Sequence, residues 1–281
     1  MISPMGAEPT TEELWRGLLT GEGSSIERLR RRYKRFPGQP KCKSCLVPLS
    51  GPFARVFQMF SDVAPSGMNP NFCNMCETFV RTHPGGAEIE LTLLFVDIRG
   101  STRLAEGMSA GEFTRLLNRF YGAASRILID SDALVDKLVG DEVIGLYLPA
   151  LGDDHPRKAV LAARDLLLAT GHADPGGPWV PVGAGVHTGD AYVGAVGSQE
   201  VSDFTALGDA VNVTARLSSA APAGEVLISE AAFASVRDEL GELEVRQLEV
   251  RGRDAPIQVR VLRVAPVGVE EPALPTAAAR G

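Results

Sequence analysis

Between Glu88 and His187 the apolar residues change period repeatedly, and the order of those changes leaves few folds open. Leu91 to Val96 is an apolar run of buried-strand length. Ser109 with Glu112 three residues on reads as a capping box. Behind it Phe113, Leu116, Leu117, Phe120, Tyr121, Ala124, Ile127 and Leu128 fall on one face of a helix. Two short strands follow, around Ala133 to Leu138 and Glu142 to Leu148, joined at Gly140-Asp141 as a hairpin is. Pro156 opens another helix that Gly171 can close, and Val180 to His187 gives a further strand. The order β-α-β-β-α-β predicts an α+β fold with a ferredoxin-like core, its antiparallel sheet covered on one side by helices. Alternation in Ile257, Val259 and Val261 adds a late strand.

The chain has 281 residues, 44% of them hydrophobic, which suits one sizeable core with a smaller appendage. Breaks at Pro37-Gly38-Gln39-Pro40 and at Thr82-His83-Pro84-Gly85-Gly86 divide it. We expect a helical, basic segment over 1–39, a cysteine module over 40–84, the main domain over 88–265 and a disordered tail over 266–281, where large apolar residues are scarce. Thr11 to Arg35 suits a short helix ending in Arg28, Arg30, Arg31, Arg32, Lys34 and Arg35, read as a solvated face in preference to an anion-binding or membrane-surface patch. A net charge of −7 argues against nucleic acid and anionic membranes as partners. With no bilayer-length apolar run and no signal-peptide pattern at the N-terminus, a soluble, cytoplasmic protein is expected.

All four cysteines fall in the module, as Cys42-Lys-Ser-Cys45 and Cys73-Asn-Met-Cys76. In a reducing compartment this pairing speaks for a metal and against disulfides. Paired C-x-x-C knuckles are the common way to close on one tetrahedral Zn²⁺, and four thiolates also suit an iron–sulfur cluster. The module is expected to fold only with metal bound.

Asp97 ends the first strand and Asp141 sits at the hairpin turn. In a βαββαβ sheet those places can be neighbours, and two carboxylates there suit Mg²⁺ or Mn²⁺. Taken singly, each is an ordinary turn residue. Lys137 precedes Asp141 by four residues. Thr205 lies in SDFTALGDAVN, where Gly208-Asp209 opens a helix that carries Asn212 and Arg216 on one face. Such an amide and cationic fork can meet ribose and phosphate.

In this order, the segments LTLLFVDIRGST, DKLVGDEVIG and SDFTALGDAVNVTARL resemble the catalytic domain of class III adenylate and guanylate cyclases over roughly Glu88 to Val264. The resemblance implies that Asp97 and Asp141, with the Ile98 carbonyl, hold two Mg²⁺ or Mn²⁺ ions. It gives Lys137 and Thr205 the reading of the base, in a pairing associated with adenine; guanylate cyclases usually carry Glu in place of the lysine. Asn212 would orient the ribose and Arg216 would stabilise the transition state. The family's triphosphate-binding lysine is replaced by Arg251 in LEVRGRDAP, which keeps the charge and changes the geometry. GAGVHTGDAYVGAVG looks like the family's glycine-rich hairpin, and its His187 is read as structural. The implied reaction converts ATP to 3′,5′-cyclic AMP and pyrophosphate. Because one chain carries both residue sets, it resembles the symmetric homodimers with two shared sites. Rival readings are a silent nucleotide-binding homologue and a nucleic-acid-binding zinc protein with a nucleotide-sensing domain.

Overall fold

The computed structural model describes residues 10–22, 24–38, 40–42, 44–67, 72–197, 202–249 and 256–264. In chain order the elements are α1 (Thr11–Thr20), α2 (Ser24–Tyr33), α3 (Gly51–Ser61), α4 (Asn74–Thr82), β1 (Gly85–Ile98), α5 (Ser101–Glu106), α6 (Ala110–Asp130), β2 (Leu134–Val139), β3 (Glu142–Tyr147), α7 (His155–Ala169), β4 (Val182–Gly197), β5 (Ser202–Leu207), α8 (Asp209–Ala220), β6 (Val226–Ser229), α9 (Glu230–Phe233), α10 (Arg237–Leu240), β7 (Glu244–Leu248) and β8 (Ile257–Leu262). None of the helices is long and apolar enough to cross a membrane, among the described residues. The expected tail over 266–281 lies outside them.

The sheet order is β2-β3-β1-β4-β6-β8-β7, with β5 paired to β4. Its first four strands are the ferredoxin-like core. Among the described residues all pairings are antiparallel except β4 with β6. The capping box forms, with the Ser109 hydroxyl accepting from the Glu112 N–H and the Glu112 carboxylate accepting from the Ser109 N–H, and it starts the 21-residue α6.

Several sequence expectations need correction, among them the glycine-rich hairpin, since Gly183 to Gly197 runs as one continuous strand within the 16-residue β4. β1 is 14 residues long and outruns the apolar stretch at both ends. Glu88 and Glu90 alternate with buried Ala87, Ile89 and Leu91 before the fully buried part begins. The sheet is also covered on both faces. Phe120, Ala124 and Leu128 of α6 and Ala163 and Leu166 of α7 pack with Leu94, Val96 and Ile98. Trp15 and Leu19 of α1 and Ala210 of α8 pack with Leu91, Leu93 and Phe95 on the other side. From Leu91 to Val96 both faces of the strand are buried and, Thr92 apart, apolar, so each needs a cover. Finally, the N-terminal segment forms two helices, since the chain turns at Gly21 between α1 and α2.

The sheet curls strongly. Thr205 on β5 lies opposite Gly194, which lies opposite Gly86 near the start of β1, whereas Asp136 on β2 lies level with Leu94. Eight residues of flat strand would separate the two by about 26 Å. The Thr205 hydroxyl nevertheless donates to Asp136 Oδ2 at 2.9 Å, so the β4–β5 ribbon folds over the Leu91, Leu93, Phe95 face. At the bend a Cβ on Gly194 would collide with the backbone of Gly85 and Gly86. The glycine pair expected to break the chain therefore serves as the close crossing of two strands.

Candidate active site

The acidic end of the sheet is built by β1 and the β2–β3 turn. Gly140 adopts φ 62°, which a glycine reaches without strain, and its carbonyl accepts from the Tyr121 hydroxyl on α6. Asp141 follows in the same turn. Ile98 N–H donates to the Asp141 carbonyl at 3.1 Å, and Asp97 lies opposite Glu142 in the β1–β3 register. The structure thus brings Asp97, Ile98 and Asp141 together.

Burial pushes the Asp97 carboxyl up to about 6; Arg99, whose Nη2 lies 2.8 Å from Asp97 Oδ2, opposes the rise, and Asp141 adds to it. Glu142 is also raised, by burial and then by Asp97 and Asp141. Asp97 Oδ1 is buried without a hydrogen-bond partner among the described residues. An orphaned carboxylate oxygen among three carboxylates is a donor set that fits a hard divalent cation. Arg99 and Glu142 are the residues sequence reading passed over. Each neighbours a motif aspartate, and only the β1–β3 register for Glu142 and the ion pair with Asp97 for Arg99 show that both face the same end.

Lys137 and Asp136 share β2, where the register jumps from Val135 opposite Gly145 to Lys137 opposite Ile144, leaving Asp136 as a bulge. Through the Asp136–Thr205 bond, Thr205 comes within one residue of Lys137. Thr205 is buried and Lys137 half-buried. Asn212 and Arg216 lie on the exposed face of α8, whose inner face buries Val213, Thr214 and Leu217. No hydrogen bond or ion pair joins either of them to Asp97 or Asp141 among the described residues. The end of α8 does reach the acidic cluster, because Arg99 Nη1 donates to the Ser219 carbonyl at 3.3 Å. His187 is half-buried on β4 opposite Leu93. Arg251 lies outside the described residues.

The cysteine module forms a second candidate centre. Cys42 and Cys45 sit on a tight loop in which Cys42 N–H donates to the Val47 carbonyl and Leu46 N–H to the Cys42 carbonyl, both at 2.8 Å. Cys73 caps α4 and Cys76 lies in its first turn. The four sulfurs lie within 4.8 Å of one another, with Cys42–Cys76 at 3.8 Å and Cys45–Cys73 at 3.7 Å. Zn–S bonds of about 2.3 Å arranged tetrahedrally give sulfur separations of about 3.8 Å. Hydrogen bonds among the crowded sulfurs pull the Cys42 thiol down and push the Cys45 and Cys76 thiols up, so the cysteines titrate as one coupled set. The Cys73 N–H points at Cys42 Sγ, 3.4 Å away.

Residues 87–262, more than half of the chain, match the family model of the adenylate and guanylate cyclase catalytic domain. The chain belongs to this class III cyclase family. Its curated relatives include adenylate cyclase 1 of Rhizobium meliloti, 29% identical over 178 residues, and an adenylate cyclase of Anabaena cylindrica, 33% identical over 134. These alignments cover 60% and 45% of this chain, but only 27% and 26% of the relatives, so the cyclase spans about a quarter of their length. Among solved structures, the guanylyl cyclase Cya2 superposes with a TM-score of 0.59 at 25% identity, over 63% of this chain and 93% of that one. The adenylyl cyclase CyaB of P. aeruginosa gives 0.54 at 29%, over 63% and 95%. This part of the chain is a nucleotide cyclase domain. Likeness to relatives of both kinds leaves the choice of base to the residues of the pocket.

Proposed function

We propose that this chain is a cytoplasmic adenylate cyclase that acts as a homodimer with two shared sites, in intracellular signalling. The observation that carries the reading is the half-buried acidic pair, Asp97 beside Asp141, on the same sheet as Lys137 and as Thr205, which is bonded to Lys137's chain neighbour Asp136. The reaction forms a bond from the ribose O3′ of ATP to the α-phosphorus and breaks the bond to the bridging oxygen of the leaving pyrophosphate. Two Mg²⁺ or Mn²⁺ ions held by Asp97, Asp141 and the Ile98 carbonyl would supply acidification of the 3′-hydroxyl and neutralisation of the triphosphate.

The chain's own side chains do the rest. Lys137 donates to a ring nitrogen of adenine, and Thr205 accepts from the exocyclic amino group. Asn212 orients the ribose. Arg216 meets the charge that grows on the α-phosphoryl oxygens, an interaction worth more in the transition state than in the ground state. Arg251 is proposed to bind the triphosphate. No side chain of these motifs stands as a general base, so the 3′-hydroxyl proton leaves to substrate or water.

Asn212 and Arg216 face outward on α8, and this supports their serving the Asp97–Asp141 pair of a second copy. The proposed catalytic domain covers 88–265, preceded by the metal module over 40–84 and the segment over 1–39. For the four cysteines we favour one zinc ion, since all four sulfurs lie within 4.8 Å of one another and suit a single tetrahedral centre, whereas a cluster of several irons spreads its thiolates over separate metals.

The test is turnover of ATP and GTP with Mn²⁺. ATP should be preferred at least about tenfold in kcat/KM, because guanine reverses donor and acceptor at the edge that Lys137 and Thr205 meet. Comparable values count against both roles, and the absence of any cyclic nucleotide makes the chain a silent binder.

A further inference from the structure

We propose that Asp136 is a positioning residue that sets the purine preference, by holding the Thr205 hydroxyl as a hydrogen-bond acceptor toward the base. The inference rests on the reading of Lys137 and Thr205 as base-facing and goes beyond it to ask why threonine works there. A threonine hydroxyl carries one proton and two lone pairs, so it can accept from the amino group of adenine or donate to the O6 of guanine. By itself it discriminates poorly.

Here the proton is already committed. Thr205 Oγ1 donates to Asp136 Oδ2 at 2.9 Å, and a carboxylate only accepts. Hydrogen bonds to a charged acceptor are about twice as strong as neutral ones. Thr205 is 7% exposed, so water offers its hydroxyl little alternative. To turn and serve guanine O6, the hydroxyl would have to abandon the carboxylate in a buried setting. It is thus left with lone pairs alone to offer a base, which suits adenine.

Two backbone features build this contact. The bulge at Asp136 removes it from the β2–β3 pairing and re-aims its side chain away from the regular alternation. The curl of the β4–β5 ribbon, with its close glycine crossing, carries Thr205 across the sheet to meet it. Lys137, next in the chain, offers donors only. The pair therefore presents one donor and one fixed acceptor. Guanine, with its ring N–H and its O6, meets a mismatch at both groups, whereas a freely turning hydroxyl would leave one.

The experiment measures kcat/KM for ATP and for GTP, with Mn²⁺, on the full chain and on Asp136→Ala, Asp136→Asn and Thr205→Val. Asp136→Ala is expected to lower the ATP/GTP ratio about tenfold, with GTP turnover rising. Asp136→Asn is nearly isosteric and covers the case in which the alanine variant does not fold. Its amide can turn to donate to Thr205, so the ratio should fall at least about threefold. A ratio unchanged in the folded Asp136 variants overturns the inference, and so does a parallel loss for both substrates, the signature of a merely structural contact. If Thr205→Val shifts the ratio while the Asp136 variants do not, only this inference fails. If Thr205→Val leaves the ratio unchanged as well, the base-reading role of Thr205 fails with it.

Discussion

Asp97 is held between Arg99 at 2.8 Å and the like charge of Asp141, and burial lifts it from an ordinary value of 3.8 to about 6. The sign of the consequence follows from linkage. A carboxyl raised in the folded state stabilises the metal-free chain below pH 3.8, and that contribution is lost as pH climbs through about 6. A divalent cation compensates the charge, but below pH 6 it must displace the proton. Mn²⁺ affinity, measured by calorimetric titration, should therefore fall by up to about tenfold per pH unit below 6 and level off above 7. An affinity flat from pH 5 to 8 would remove Asp97 from the metal set. Asp97→Asn or Asp141→Asn should cut kcat by about 100-fold or more while the melting temperature stays near wild type, because each change deletes a charged metal ligand and no core contact. Turnover near wild type in either variant would sink the two-metal assignment.

Among the elements, β5 has two sets of neighbours. Thr205 faces β2, while the preceding residue, Phe204, stacks on Trp15 of α1 with ring centroids 6.1 Å apart. Trp15 also meets Phe79 of α4 at 5.8 Å, and α4 carries Cys76. A cavity of about 70 Å³, lined by Leu18, Cys76, Leu134 and Phe204 among others, lies along the same seam. The cysteine module thus packs against the strand proposed to read the base. Replacing Cys42 and Cys45 together by Ser should release one metal ion per chain and loosen the segment before Thr82, detectable by metal analysis and limited proteolysis. Cyclase activity should drop and yet survive, since Asp97, Asp141 and Arg216 all lie beyond the module. Anaerobically purified protein free of zinc and iron would overturn the metal reading.

At the scale of the whole molecule the proposed site is divided between copies. Mixing inactive Asp97→Ala and Arg216→Ala chains should restore activity, because each heterodimer keeps one site free of both changes. If subunits exchange and the mixture stays inactive, the cross-protomer arrangement is wrong.

The sequence alone determined the parts whose signal is local. Capping at Ser109, the two-residue turn at Gly140-Asp141 and the βαββαβ order depend on neighbours a few residues apart, and each appears where the pattern put it. The same holds for the pairing of the cysteines, since two C-x-x-C knuckles can converge on one centre and these do. Strands β5, β6 and β7 escaped notice because they are short and owe their pairing to partners far along the chain. So did α1 as a cover for the sheet, since Trp15 looks like any apolar residue until the face it fills is known. Only the tertiary structure decided that Arg99 and Glu142 crowd Asp97, and that Asp136 meets Thr205 across 69 residues of chain. A bulge and a strand curl have no period of their own in a sequence. They arise when two faces of a sheet are closed at once, and the contacts they create belong to the closed fold.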